Sequence, residues 1–357
     1  MIYDTIIIGA GPAGLTASIY ASRYKLSNLI IGKMVGGTIS YAHKVENFPG
    51  ILSISGVELG QKMAEQAKSF GVEILGENVG RIEPSFAESD SASAGEKGNL
   101  DDGSFRVFTE TGKEFIAKSL IVSSGTERRK LNVPGEKEYL GKGVSYCTNC
   151  DIPFYKDKTV VIVGGSNAAC SGAVHAADFA GKVYIVYRKD ELRAEPVWID
   201  DIKDNPKIEV LYNTNIVKIL GGQEEQDPLR PRLASTQARS EARETGGQRK
   251  VTGVELDNEY NGSKILPLDG VFVEIGGVPA SSFLVPLGVE MDENGYVKVN
   301  EKMETNVIGL FAAGDFTTMS LFLQQTVTAC ADGAKAAASA FRFIRGQKAP
   351  RLLGNSL

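Results

Sequence analysis

Thr5-Ile6-Ile7-Ile8-Gly9-Ala10-Gly11-Pro12-Ala13-Gly14 decides the fold. Four β-branched residues run into a glycine, as in a strand buried on both faces. Leu15 to Ser22 then reads as a helix. G-x-G-x-x-G therefore stands between a strand and a helix, the context that gives the motif its meaning. Gly9 permits the turn, Gly11 lets the backbone approach a pyrophosphate, and Gly14 lets the helix pack on the strand. The free N–H groups and dipole of the helix start then favour phosphate.

The next strand, Asn28 to Gly32, ends without the Asp or Glu that would hold the ribose of NAD. Gly32-Lys33-Met34-Val35-Gly36-Gly37-Thr38 follows, and this second Gly-rich loop points to a larger cofactor lying across it. Val45-Glu46-Asn47-Phe48-Pro49-Gly50 is a turn carrying an acid and an amide. From Gly56 to Phe70, Val57, Leu59, Met63, Ala64 and Ala67 mark the core face of a helix. Strands follow at Phe105–Phe108 and Phe115–Ser124, and Arg128 to Gly135 reads as a domain crossing.

A second βαβ unit begins at Thr159–Val163. Gly164-Gly165-Ser166-Asn167-Ala168-Ala169 is an altered fingerprint, with Ser and Ala where the second and third glycines would stand. A small-residue helix runs to Ala180, and the strand Lys182–Tyr187 ends in Arg188-Lys189, with Arg193 just beyond. Basic residues there suit a 2′-phosphate, which favours NADP(H) over NAD(H). Val251–Leu256 and Ile265–Leu268 read as paired strands, and Gly270–Gly276 as the return to the first domain. Tyr296–Val299 and Gly309–Asp315 read as further strands, the latter ending in Gly314-Asp315, and Gln324 to Ile344 as a closing helix. Glu88–Gly103 and Gly221–Lys250 are polar insertions expected to form surface loops. The expected architecture is α/β, two Rossmann-like nucleotide-binding domains of three layers, the second inserted in the first. Its expected segments are 1–125, 126–274 and 275–357.

The length of 357 residues suits two full cores, and 42% hydrophobic with 23% charged residues is ordinary globular composition. A net charge of -5 argues against nucleic acid or an anionic membrane as the main partner. The chain has no apolar run of about 18 residues, so no transmembrane span is expected. The first strand starts at once after Met1, leaving no room for a signal peptide, so the expected location is cytoplasmic.

Four cysteines are present, and only Cys147 and Cys150 form a motif, Tyr146-Cys147-Thr148-Asn149-Cys150-Asp151. C-x-x-C is compatible with a redox pair, half a metal site or chance. Zinc would need two more ligands nearby, and His43 and His175 lack ligand spacing, so no metal is expected. Asp151 is placed to move a proton when a disulfide opens. Cys170 and Cys330 read as small core residues.

Five motifs now stand in order: Gly9–Gly14, Val45–Gly50, Cys147–Asp151, Arg188-Lys189 with Arg193-Ala194, and Ala313-Gly314-Asp315. Together they resemble the low-molecular-weight thioredoxin reductases, over nearly the whole chain except the two insertions. The resemblance implies a homodimer in which electrons pass from NADPH to FAD, to the Cys147–Cys150 pair, and on to thioredoxin or a similar small redox protein. It implies that Cys150 lies against the flavin, Cys147 attacks the partner disulfide, and Asp151 serves as acid or base. The implied flavin contacts are Gly9, Gly11, Pro12, Ala13, Gly14, Ile31, Gly32, Lys33, Gly36, Gly37, Thr38, Glu46, Asn47, Gly314, Asp315, Gln325 and Thr326. The implied NADPH contacts are Gly164, Ser166, Asn167, Ala168, Arg188, Lys189 and Arg193. The chain departs from the family at Ile152-Pro153, Ser166, Cys170-Ser171-Gly172 and Gln324-Gln325. Eroded nicotinamide motifs accompany related enzymes that take electrons from deazaflavin or ferredoxin, and a dithiol oxidase of the same fold is a further alternative. The basic trio Arg188, Lys189 and Arg193 speaks for NADPH.

Overall fold

The protein is represented by a computed structural model that describes residues 1–84, 103–223 and 249–346. The expected loop at Glu88–Gly103 lies outside the described residues except for Gly103, and Gly221–Lys250 does so except for its ends, which are strand. The chain divides into two units, Met1–Glu127 with Val278–Leu357, and Arg128–Gly277.

The first unit is built on β1 (Ile2–Ile8), β2 (Asn28–Ile31), β3 (Glu73–Leu75), β4 (Val79–Pro84), β5 (Phe105–Thr109), β6 (Glu114–Val122) and β17 (Leu310–Ala312). The order β3-β2-β1-β6 is parallel throughout. The outer edge of β6 is shared: its first half pairs antiparallel with β5, and its second half parallel with β17. Side chains alternate between two cores. Ile6, Ile8, Leu29, Ile31, Leu120 and Val122 enter one, while Ile7, Ile30 and Ile121 enter the other. Burial on both faces explains why these strands read as continuous apolar runs, each side chain contributing roughly 1.5–3 kcal/mol.

Helix α1 (Pro12–Arg23) starts with Pro at its first position, where the missing N–H is harmless. Helix α2 (Gly56–Lys68) is capped by Ser55, whose Oγ accepts from the Glu58 N–H at 3.2 Å. The closing helix α6 (Thr326–Arg345) starts two residues later than expected, because Gln325 and Thr328 form a reciprocal cap. A Cβ on Gly333 would lie 2.0 Å from the Ala13 carbonyl oxygen, so α6 packs on α1 at backbone distance. Tyr296–Val299 is not a strand: Val297 makes only isolated bridges to Met291 and Thr317.

The second unit has a five-stranded parallel sheet, β11 (Ile208–Leu211), β10 (Lys182–Val186), β9 (Thr159–Val163), β15 (Gly270–Val273) and β8 (Val144–Ser145) in that order. The segment Gly270–Gly276, read as the return to the first domain, is therefore largely a strand inside the second unit's sheet, and the break falls after Gly277. Helices α3 (Thr148–Asp151), α4 (Asn167–Ala177) and α5 (Pro196–Asp204) and an antiparallel sheet of β12 (Ile216–Gln223), β13 (Arg249–Tyr260) and β14 (Ser263–Pro267) complete it. Val161 and Val163 face one core, Val160 and Ile162 the other. Cys170 is fully buried in the second, and burial pushes its thiol up to about 12. The segments in which the chain crosses between units, β7 (Thr126–Arg128) and β16 (Gly277–Pro279), pair with each other.

Candidate functional site

In the first unit the glycines are required by contact. Gly9 has φ +114, and a Cβ there would lie 2.2 Å from the Ser123 carbonyl oxygen. A Cβ on Gly14 would lie 1.9 Å from the Gly9 carbonyl oxygen. Gly11 is extended, with φ -82 and ψ -177, and its Cβ would meet only Gly37 Cα at 3.7 Å. The second Gly loop closes on the first, because Gly36 N–H donates to the Ala10 carbonyl at 2.8 Å and a Cβ on Gly32 would lie 2.5 Å from Ala10 N. Gly314 brings the end of β17 against Ala13, 3.1 Å from a Cβ at that position. Asn47 Nδ2 donates to Gln325 Oε1 at 3.1 Å, and Gln324 Nε2 to the Asp315 carbonyl at 2.8 Å. These contacts bring Gly9 to Gly14, Gly32, Gly36, Gly37 and Gly314 together, with Asp315 next to Gly314, while Asn47 is bonded to Gln325 just before Thr326 opens α6. Lys33 is exposed on the loop after β2 and Thr38 in the short 3-10 helix Gly37–Tyr41, and Glu46 is engaged by Lys44 at 2.9 Å.

Asp315 Oδ1 is buried with no hydrogen-bond partner among the described residues. Burial first, then the Asp332 carboxylate, pushes the Asp315 pKa up to about 6. Asp332 is itself raised by burial. An orphaned buried acceptor beside a glycine cradle fits a ligand that offers hydroxyl donors and a pyrophosphate, as FAD does. A testable consequence follows for protein stripped of such a ligand. The folded pKa of Asp315 stands above its unfolded value, so between about pH 4 and pH 6 the folded state binds the extra proton. The stability this gives is present below about pH 4 and lost as pH rises through 6. Asp315→Asn should therefore be more stable than the parent at pH 7 by about 2–3 kcal/mol, with the difference closing at pH 4, in urea titrations of the stripped proteins. An equal difference at both pH values would contradict the assignment.

In the second unit, Gly164 has φ +139, and a Cβ there would lie 2.3 Å from the Glu274 carbonyl oxygen. Ser166 stands at the N-cap position of α4 with φ -99 and ψ -179, extended backbone that any residue adopts, and it is exposed. Serine at this position therefore strains nothing. Arg193 N–H donates to the Gly165 carbonyl at 2.6 Å, and Glu195 N–H to Asn167 Oδ1 at 2.6 Å. These bonds fasten Arg193 and Glu195 onto the glycine loop, with Arg188 and Arg193 exposed.

Cys147 and Cys150 form a disulfide in this same unit, 5.3 Å apart at Cα. Cys147 stands at the N-cap of α3, and its Sγ accepts from the Cys150 N–H at 3.1 Å. Cys150 is exposed and Cys147 half-buried. Several neighbours hold the pair, and sequence reading missed them. Ser145 Oγ accepts from Cys147 N–H at 3.0 Å. Tyr146 donates to Glu136 at 2.7 Å, and burial together with that bond raises the phenol pKa. Thr148 Oγ1 donates to Glu274 at 2.9 Å. The lone acid ending the apolar run Val271-Phe272-Val273-Glu274 was the one signal available.

Among the described residues no group of three or more candidate metal ligands gathers, and no helix is long and apolar enough to cross a membrane. Residues 3–333 match the pyridine nucleotide-disulphide oxidoreductase family. The thioredoxin reductase of Bacillus subtilis is 38% identical over 345 residues, 96% of this chain and 95% of that protein. That of Listeria innocua is 36% identical over 349 residues, 97% of this chain and 95% of that protein. Among solved structures, Lactococcus lactis thioredoxin reductase superposes with a TM-score of 0.80 at 32% identity, covering 97% of this chain and 100% of that one. T. acidophilum thioredoxin reductase gives 0.78 at 33% identity, covering 95% and 97%. Reductases of this family use FAD and NADPH. With two Rossmann-like units, a paired-glycine cradle in the first and a C-x-x-C disulfide in the second, the chain belongs to the pyridine nucleotide-disulphide oxidoreductases, among the low-molecular-weight thioredoxin reductases.

Proposed function

We propose that this chain is a cytoplasmic NADPH-dependent thioredoxin-disulfide reductase acting as a homodimer. The observation that carries the reading is the Cys147–Cys150 disulfide, set in the same unit as a glycine loop with a basic segment fastened to it. The first unit is the FAD-binding domain and the second the NADP(H)-binding domain. Gly9, Gly11, Pro12, Ala13, Gly14, Ile31, Gly32, Lys33, Gly36, Gly37, Thr38, Glu46, Asn47, Gly314, Asp315, Gln325 and Thr326 contact FAD. Gly164, Ser166, Asn167, Ala168, Arg188, Lys189 and Arg193 contact NADPH. FAD held by these residues would supply the two-electron chemistry between NADPH and the disulfide.

The chain's own residues do the rest. Opening the Cys147–Cys150 bond takes up two electrons and two protons, and Asp151 serves as the local acid or base. Cys147 then attacks the partner's disulfide, and Cys150 displaces the reduced partner, restoring the starting bond. A homodimer is supported by an exposed apolar run, with Phe322 98% exposed between Leu321 and Leu323.

Anaerobic titration of the flavin-loaded protein tests the donor. The flavin absorbance band should bleach with NADPH and not with NADH. Bleaching only with dithiols, reduced deazaflavin or ferredoxin would overturn the NADPH assignment. Replacing Arg188 by Ala should raise the NADPH requirement about ten- to a hundredfold, since a charge-assisted bond to phosphate is worth roughly 1.5–3 kcal/mol.

A further inference from the structure

A buried acid outside the expected site ties the redox helix to the nucleotide loop. Glu274 is 6% exposed and follows β15 directly. Its N–H donates to the Val163 carbonyl at 2.9 Å, and its own carbonyl packs against Gly164. Its side chain turns the other way. One oxygen accepts from Thr148 Oγ1 at 2.9 Å and, more weakly, from Thr148 N–H at 3.4 Å. The other forms an ion pair with Arg128, the last residue of β7. Thr148 is 3% exposed and directly follows Cys147.

Folding alone does not call for this arrangement, because apolar residues of similar volume usually replace a buried ion pair without loss of stability. What the pair provides is a fixed attachment for the first turn of α3, with a negative and a positive charge held at Thr148, the residue after a thiol that must ionise to react. We propose that Glu274 is a positioning residue of the redox centre: through Thr148 it fixes the Cys147 end of α3, and with Arg128 it sets the acidity of the Cys147 thiol. This rests on the reading of Cys147 and Cys150 as the redox pair.

The charge logic gives opposite signs for the two partners. The Glu274 carboxylate opposes a thiolate on Cys147, and the Arg128 guanidinium favours one. The other titratable groups around the helix stay the same across the variants. They are Asp151 and Tyr155 following the cysteines, Glu136 held by Tyr146, and Cys170 and His175 on α4, which packs on Thr148 through Gly172.

The test uses the reduced, flavin-loaded protein and follows the pH dependence of Cys147 alkylation by iodoacetamide, read by mass spectrometry of the Cys147 peptide. Glu274→Gln should lower the apparent thiol pKa by roughly half to one pH unit, and Arg128→Met should raise it by a similar amount. A purely structural role would move both variants the same way, and that result, or no movement in either, overturns the proposal. The attachment is read separately from the glutathione redox equilibrium of the pair. Thr148→Val should lower the effective concentration of one thiol toward the other about fivefold, the equivalent of one hydrogen bond, while Thr148→Ser keeps the parent value. Thr148→Val matching the parent would also overturn it. Neither measurement uses thioredoxin turnover, so failure to reduce thioredoxin would count against the proposed function and leave this inference standing.

Discussion

Cys150→Ser should yield a protein with its full complement of flavin whose NADPH-to-thioredoxin turnover has fallen by at least about a thousandfold, as for loss of a covalent catalytic group. The reason is one of bonds. Release of a partner from a mixed disulfide needs a second thiol three positions away, and a hydroxyl in its place cannot form a sulfur–sulfur bond. The local fold should survive. Cys150 is exposed, and the contacts that fix the segment belong to Ser145, Tyr146 and Thr148. The remaining thiol is the better placed nucleophile. Cys147 sits at the N-cap, where the N–H three positions on already points at its sulfur and can stabilise a thiolate. The variant should therefore trap thioredoxin as a mixed disulfide through Cys147, visible on a non-reducing gel and lost on adding dithiothreitol. Cys147→Ser should trap far less. A Cys150→Ser protein that still turned over thioredoxin would remove the redox pair from the mechanism. Trapping mainly by Cys147→Ser would exchange the roles of the two cysteines.

What the sequence made legible, and what it hid, follows from how far apart the determining contacts lie. Ile6, Ile7 and Ile8 are buried on alternate faces of a sheet covered on both sides, so three adjacent apolar residues already mark the strand. Gly9 and Gly14 were legible because the turn and the close helix are local demands, written within one motif. The pair Gly314-Asp315 was legible for the same reason. Tyr296–Val299 carried an alternating pattern without a continuous pairing partner, so only Val297 bridges. Gly270–Gly276 was read as the return to the first domain and its place in the second sheet was missed, because β9 and β8 pair with it over more than a hundred residues of chain. The longest reaches were the least visible. Arg128 and Glu274 are 146 positions apart, Thr148 and Glu274 126, and Asn47 and Gln325 278. Each of those residues alone reads as an ordinary polar side chain; only the fold makes them partners.

The glycine cradle supplies the other large effect, and two of its members separate binding from folding. Gly14→Ala puts a methyl 1.9 Å from the Gly9 carbonyl oxygen and 2.6 Å from Ser123 Oγ. Neither neighbour can yield. Gly9 is itself packed against the Ser123 main chain at φ +114, and Ser123 Oγ is held by the Ile8 and Gly9 carbonyls at 3.0 and 3.2 Å. The start of α1 must then back away from β1, taking its free N–H groups with it. Overpacking of this kind costs about 2–4 kcal/mol, a fall in Tm of roughly 5–15 °C for a first unit of about 200 residues that melts by itself, and the purified protein should carry less than about a tenth of its flavin. Gly11→Ala differs in kind. Its backbone is extended, and a methyl there meets Gly37 Cα at an ordinary 3.7 Å. The stripped protein should therefore melt within a few degrees of the parent, an N-cap Gly→Ala change costing about 1 kcal/mol or less. Its flavin affinity should still fall at least about tenfold, because that methyl stands where the fingerprint brings backbone to pyrophosphate. Flavin-to-protein absorbance ratios and thermal melts of both variants decide the matter. Full flavin in Gly11→Ala would mean that the pyrophosphate does not approach at Gly11, and the first-loop contacts would have to be reassigned.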